Sequence, residues 1–202
     1  MPSTALKIDD HFTYADYLTW DDGKRWELID GEVYDMTPAP NLKHQHISRN
    51  FSHRLFTFFE GKSCIPFTAP TDVVFDEDTV VQPDILVVCD RSKLTDACVK
   101  GAPDLIVEIL SPSTGVKDRR EKKNLYERFG VQEYILVDPM NESVDRYTLM
   151  EGRYGSPDVF GWDETMKLTL FPQLELNLWE IFDKERITAV NETPTRYPRQ
   201  HR

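Results

Sequence analysis

The sequence predicts an α/β fold of the mixed α+β kind, a β-sheet flanked by helices, on three observations. Apolar runs at 85–88, 105–110 and 134–137 have the look of strands covered on both faces. Residues 44–59 place Ile47, Phe51, Leu55, Phe58 and Phe59 at helical spacing, and 116–129 carry a second, charged helical pattern. Asp30-Gly31 stands between two strand-like segments as the strongest short hairpin signal in the chain.

The elements follow in order. Residues 1–11 show no periodicity and are expected to be frayed, and 13–20 read as a short helix with Thr13 as its cap. The hairpin pairs 25–29 with 32–36; a Pro-bearing loop, 37–42, leads into the 44–59 helix, whose other face carries His46, Asn50 and His53. Strands are expected at 64–67, 72–75, 85–88 and 105–110, with 89–103 a polar surface excursion. A turn at 111–115 (Ser-Pro-Ser-Thr-Gly) precedes the 116–129 helix, ended by Gly130. A strand at 134–137, a hairpin joining 143–149 to 153–154, and a last strand and short helix within 174–182 complete a single domain over 12–182. The polar remainder, 183–202, reads as a mobile tail.

A chain of 202 residues with 40% hydrophobic content can bury a substantial core. Its 24 Lys and Arg against 35 Asp and Glu give a net charge of -11, which argues against broad adhesion to nucleic acid or anionic membrane. Local basic surfaces are still available: the 117–128 helix, at +3, and the tail from 184 to 202, also at +3. Cys64, Cys89 and Cys98 have neither zinc-site nor disulfide-framework spacing, and no apolar run reaches membrane-spanning length. These features lead to the expectation of a reducing, cytoplasmic setting without membrane contact.

Glu108 is the sharpest anomaly, a single acid between Val107 and Ile109 in an otherwise apolar strand. Ionised and unpaired there, it would cost several kcal/mol. A salt bridge to Lys or Arg would compensate it; so would a metal shared with a second carboxylate. Asp84, at the start of the next most similar run, is the candidate partner. Antiparallel pairing of the two strands would bring the acids side by side, and period-two alternation lets them point the same way.

With these residues in place, the chain resembles the PD-(D/E)XK nuclease superfamily and, within it, the bacterial Uma-two family of restriction-type endonucleases. The resemblance is carried by 26–32 (Trp-Glu-Leu-Ile-Asp-Gly-Glu), 40–46, 82–88 (Gln-Pro-Asp-Ile-Leu-Val-Val), 105–114, by Asp118, Lys122 and Tyr126, and by 130–138. It implies a restriction-endonuclease-like mixed sheet with an α-β-β-β-α-β core and an N-terminal hairpin. It also implies Mg²⁺, with Mn²⁺ as a substitute, held by Asp84 and Glu108 with help from the Ile109 carbonyl. The superfamily's Lys two residues after the Glu is Leu110 here, and Lys122 is the residue implied to replace it.

The implied chemistry is hydrolysis of DNA phosphodiester bonds, with Asp84, Glu108 and Lys122 as the catalytic set and a homodimer serving two strands. A plain salt bridge from Lys122 to Asp118 or Glu108 is the competing reading. Glu27 and His46 lie in family-like segments, as a further metal ligand and a phosphate or acid/base contact; as a bare sequence feature His46 reads as a half-exposed helix residue. His44 and His46 are too close together to face one zinc ion on a helix. The rival from another class is a catalytically silent nuclease fold that binds DNA or a protein partner.

Overall fold

A computed structural model describes residues 11–36, 41–112 and 115–186. The readings made for 1–10, 37–40, 113–114 and 187–202 lie outside the described residues.

The chain opens with α1 (Tyr14–Tyr17), shorter than the 13–20 expected, with a reciprocal cap between Thr13 and Asp16. The strands β1 (Trp26–Ile29) and β2 (Glu32–Asp35) pair antiparallel through Asp30 and Gly31, at φ 51° and 76°. Two left-handed residues make the turn whose twist suits adjoining strands. Then α2 (Leu42–Phe59) starts from Asn41, whose side chain accepts the His44 N–H.

Next come β3 (Ile65–Thr68), β4 (Val73–Asp76), β5 (Thr79–Val81), β6 (Ile85–Val88), β7 (Val99–Lys100) and β8 (Leu105–Ile109). A helical stretch follows, α3 (Gly115–Lys117), a π-helical turn (Asp118–Lys122) and α4 (Lys123–Phe129), ended by Gly130 at φ 82°. The rest is β9 (Glu133–Asp138), β10 (Ser143–Met150), β11 (Arg153–Tyr154), β12 (Asp158–Gly161), β13 (Thr165–Lys167), β14 (Glu175–Asn177) and α5 (Leu178–Ile181).

Among the described residues the strands form two main sheets, where the sequence suggested one. The larger runs β11-β10-β9-β8-β6-β3, with β12 also on β10; the smaller runs β2-β1-β5-β4-β7. In the larger sheet β8 and β9 are parallel, and the remaining pairs are antiparallel. Its α2-β3-β6-β8-α4-β9 sequence is the expected α-β-β-β-α-β core, and the hairpin belongs to the second sheet.

Three apolar layers hold this together. Ile47, Phe51 and Leu55 of α2, with Ile181 of α5, cover one face of the larger sheet through Ile85, Val87, Val107 and Ile135. The opposite face, Leu86, Ile106 and Leu136, packs on Leu125 and Tyr126 of α4 and on Ile29 and Val73 of the smaller sheet. Leu28 and Val80 face outward from the smaller sheet onto Phe12, Tyr14 and Trp20.

Several expectations need correction. The strand at 85–88 is preceded by one that was not expected, β5, in the other sheet, because Pro83 has no N–H to donate and the chain changes sheets there. The supposed surface excursion 89–103 contains β7, which pairs parallel with β4 and buries Cys98 and Val99. The cysteines are not all free: Cys64 and Cys89 form a disulfide, leaving Cys98 as a buried thiol. They flank β3 and β6, whose register sets Ile65 opposite Val88 and so carries the two cysteines to a Cα separation of 3.9 Å. Among the described residues no helix is long and apolar enough to cross a membrane.

Candidate active site

The antiparallel register of β6 and β8 sets Ile85 opposite Val107, and one step further along lie Asp84 and Glu108. Their contacts cross the pair: the Ile109 N–H donates to Asp84 Oδ2 at 2.8 Å, and the Asp84 N–H approaches Glu108 Oε2 at 3.4 Å. Asp84 is the more open acid, its side chain 20% exposed against 6% for Glu108.

Lys122 reaches the pair from the π-helical turn. Its ammonium lies 2.6 Å from Glu27 Oε1, 2.9 Å from Glu108 Oε1 and 3.9 Å from Asp118 Oδ1. Lys117 holds the other Glu27 oxygen at 2.6 Å. An α-helix would turn residues five apart about 140° away from each other, whereas i→i+5 bonding keeps them on one side. The π-helical turn is what lets Lys117 and Lys122 share one carboxylate. Tyr126, one turn on, donates its hydroxyl to Glu108 Oε1 at 2.7 Å.

Glu27 comes from β1, where alternation sets it with Ile29 toward the larger sheet. Besides the two lysines, its carboxylate accepts the Gln82 N–H at 3.2 Å, at the point where the chain changes sheets. Full burial would raise the Glu27 pKa, yet Lys122 and Lys117 outweigh it and bring the group down to about 2. Glu108 goes the other way. Burial, followed by the charges of Asp118, Asp84 and Glu27, overcomes Lys122 and pushes Glu108 up to about 8. Lys122 itself stays charged: burial works against it, but Glu108 and Glu27 raise its pKa well above the usual value. The surroundings of Glu27 and Lys122 thus favour their ionised forms, whereas those of Glu108 favour its protonated form.

A residue that the sequence pattern did not single out completes the cluster. His44, on the first turn of α2, places Nε2 3.1 Å from Asp84 Oδ2. Burial lowers the pKa of the ring, but the Asp84 hydrogen bond and the charges of Asp84 and Glu108 leave it raised. His46 is elsewhere. Two residues along a helix are about 200° apart, and His46 stands half-exposed, 3.8 Å from Asp183. A signal for His44 existed: it precedes Ile47 by three and Phe51 by seven, so it extends the apolar face of α2 and is, with Ser52, one of its buried polar residues.

Asp84, Glu108, Lys122 and Glu27 thus meet in one cluster, and His46 does not. Four cations of the basic helix are tied up in ion pairs, while Arg120 is exposed. Lys117 and Lys122 point inward, Arg119 pairs with Asp138 and Asp145, and Arg128 with Asp30.

Comparison with known proteins shows what the chain is similar to. The "Uncharacterized protein slr1290" of Synechocystis sp. is 29% identical over 136 residues, 65% of this chain and 71% of the relative. The "Uncharacterized protein sll1609" of the same organism is 26% identical over 141 residues, 67% of this chain and 79% of the relative. A crystal structure from Anabaena variabilis, described as "a putative nuclease belonging to DUF820", shares the fold at a TM-score of 0.71 and 22% identity, covering 85% of this chain and 98% of that one. The family described as "Putative restriction endonuclease" matches residues 14–179. On that match, which takes in both main sheets and the whole carboxylate cluster, the chain belongs to the Uma2 family.

Proposed function

We propose that the protein is a Mg²⁺-dependent endonuclease that hydrolyses phosphodiester bonds of DNA, working as a homodimer whose two sites serve the two strands. The observation that carries this reading is the register of β6 and β8, which sets Asp84 beside Glu108 with the Lys122 ammonium 2.9 Å from Glu108. The family description supports the reaction class.

The residues fit a hard divalent cation. Glu108 is pushed up to about 8 by burial and by the negative charge of its neighbours, and a cation beside Asp84 would relieve that charge and take the place of the proton. Among the described residues no three His, Cys, Asp or Glu side chains form a ready-made metal cage. Asp84 and Glu108 offer two carboxylates, and Mg²⁺ is commonly held by one or two while keeping several waters. Asp84 and Glu108 would hold the ion, with the Ile109 carbonyl beside them. Bound there, Mg²⁺ would polarise the phosphate and acidify a water.

The other residues act around that pair. Lys122 supplies a fixed positive charge next to Glu108, suited to negative charge building on a phosphate. Glu27 is not a ligand in this reading. With two ammonium groups and an N–H on its oxygens, it holds Lys122 in place. Tyr126 fixes Glu108 through the hydroxyl it donates to Oε1.

The test is nicking of supercoiled plasmid at low salt with Mg²⁺, Mn²⁺ or EDTA, comparing wild type with Asp84→Ala and Glu108→Gln. Cation-dependent nicking lost in both folded variants is the expected result; equal behaviour of all three would remove the reading. Leu110, standing where the superfamily has its Lys, favours one rival, a silent fold that binds DNA or a protein. That rival predicts plasmid binding by wild type and Asp84→Ala alike, with no cleavage by either.

A further inference from the structure

We infer that His44 is a positioning residue for Asp84: it fixes the carboxylate in the orientation in which it meets Glu108, and so sets the site's affinity for a divalent cation. The inference rests on the metal-site reading above. It begins with one oxygen. Asp84 Oδ2 receives the His44 ring at 3.1 Å and the Ile109 N–H at 2.8 Å, so a helix and a strand bind the same atom from two directions. Oδ1 is the oxygen that these two donors do not engage.

The helical turn that carries the ring is held independently of Asp84, which is what positioning requires. The His44 backbone N–H is capped by the Asn41 side chain at 2.9 Å, and the neighbouring Lys43 ties the same turn of α2 to the Pro139 carbonyl at 2.5 Å. The side chain is only 9% exposed, and among the described residues Nδ1 has no hydrogen-bond partner. An imidazole with an unpaired buried nitrogen is a poor choice for packing alone, because an aliphatic side chain would fill the same place without a stranded polar atom. What the imidazole offers there, and an aliphatic group cannot, is the contact between Nε2 and Asp84. Groups that orient a metal-binding carboxylate in this way commonly change metal affinity by about 10- to 100-fold when removed.

Two polar variants of similar size separate the ring nitrogens. In His44→Gln the amide nitrogen falls near the position of Nε2 and can still reach Asp84; in His44→Asn it falls near Nδ1 and cannot. Mn²⁺ binding would be measured by calorimetry on the full chain for wild type, both variants and Asp84→Ala, with thermal unfolding as the check on folding. The expected order is wild type and His44→Gln within a few-fold of each other, His44→Asn weaker by about 10- to 100-fold, and Asp84→Ala without binding. Equal affinity in His44→Asn and wild type, with Asp84→Ala inactive in binding, would overturn the inference and leave the metal site standing. Equal loss in both His44 variants would overturn it as well, since the loss would then not follow the Asp84 contact. If wild type binds no Mn²⁺, the metal-site reading fails and takes the inference with it.

Discussion

Lys122 is the residue whose removal the site tolerates least, because its ammonium is shared by two carboxylates and one of them is fully buried. Lys122→Met should leave Glu27 with Lys117 alone and destabilise the fold by about 3–5 kcal/mol, the usual cost of breaking a buried pair from one side. Adding Glu27→Gln should recover part of that loss, and urea unfolding of the single and double variants would measure both. A second residue-scale prediction concerns pH. The Glu27 pKa is depressed to about 2 from an ordinary 4.5, so its contribution is present above about pH 4.5 and is lost as pH falls toward 2. Glu108 is raised to about 8, so between about pH 4.5 and 8 the folded state holds a proton that the unfolded chain has released, and stability falls as pH rises. The limiting slope is about 1.4 kcal/mol per pH unit. Without divalent cations, wild type should therefore lose stability relative to Glu108→Gln from pH 5 to pH 8; a pH-independent difference would contradict the raised pKa.

Among the elements, the hairpin and the π-helical turn do the positioning. The β1–β2 turn carries Glu27 into the cluster from three residues away, and its Gly31 sits at φ 76°, where a Cβ would also land on the His11 ring. Gly31→Ala should cost about 1–2 kcal/mol for the left-handed backbone, since the half-exposed His11 can move aside. Thermal unfolding would give the size, and a neutral result would mean that the turn has rearranged. The hairpin was legible because Asp-Gly turns are set by local φ. The π-helical turn was not: the same residues satisfy an ordinary helical pattern, and nothing in that pattern records the wider turn from which Lys117 and Lys122 both reach Glu27. The length of α1 was overestimated for a similar reason, its aromatic residues packing on the smaller sheet without continuing the helix.

At the scale of the whole molecule, two sheets lie against each other, and the cluster forms where the chain crosses between them at 82–84. The same crossing explains why the acids meet: β5 belongs to the sheet that bears Glu27, and β6 to the sheet that bears Glu108. The Cys64–Cys89 bridge joins the ends of β3 and β6, on the strand that begins beside Asp84. Protein purified without reductant and then unfolded should show one reactive thiol per chain, that of Cys98, and three after reduction. Replacing Cys64 and Cys89 by Ser should cost about 2–4 kcal/mol, and three reactive thiols before reduction would remove the bridge from the account.

The sequence by itself determined the elements and the anomalous acids, because both follow from short-range rules. Strand alternation, helical spacing and the Asp-Gly turn are local, and Glu108 stands out wherever an ionised group is costly to bury. Pairing Asp84 with Glu108 was within reach as well, since antiparallel register is simple arithmetic once two strands are named. What only the tertiary structure decided was everything that depends on a third element. The choice of His44 over His46, the role of Lys117, the separation into two sheets and the disulfide each arise from residues brought together over 25 or more positions of sequence. Single-chain periodicity records which face of an element is buried, but not which other element buries it.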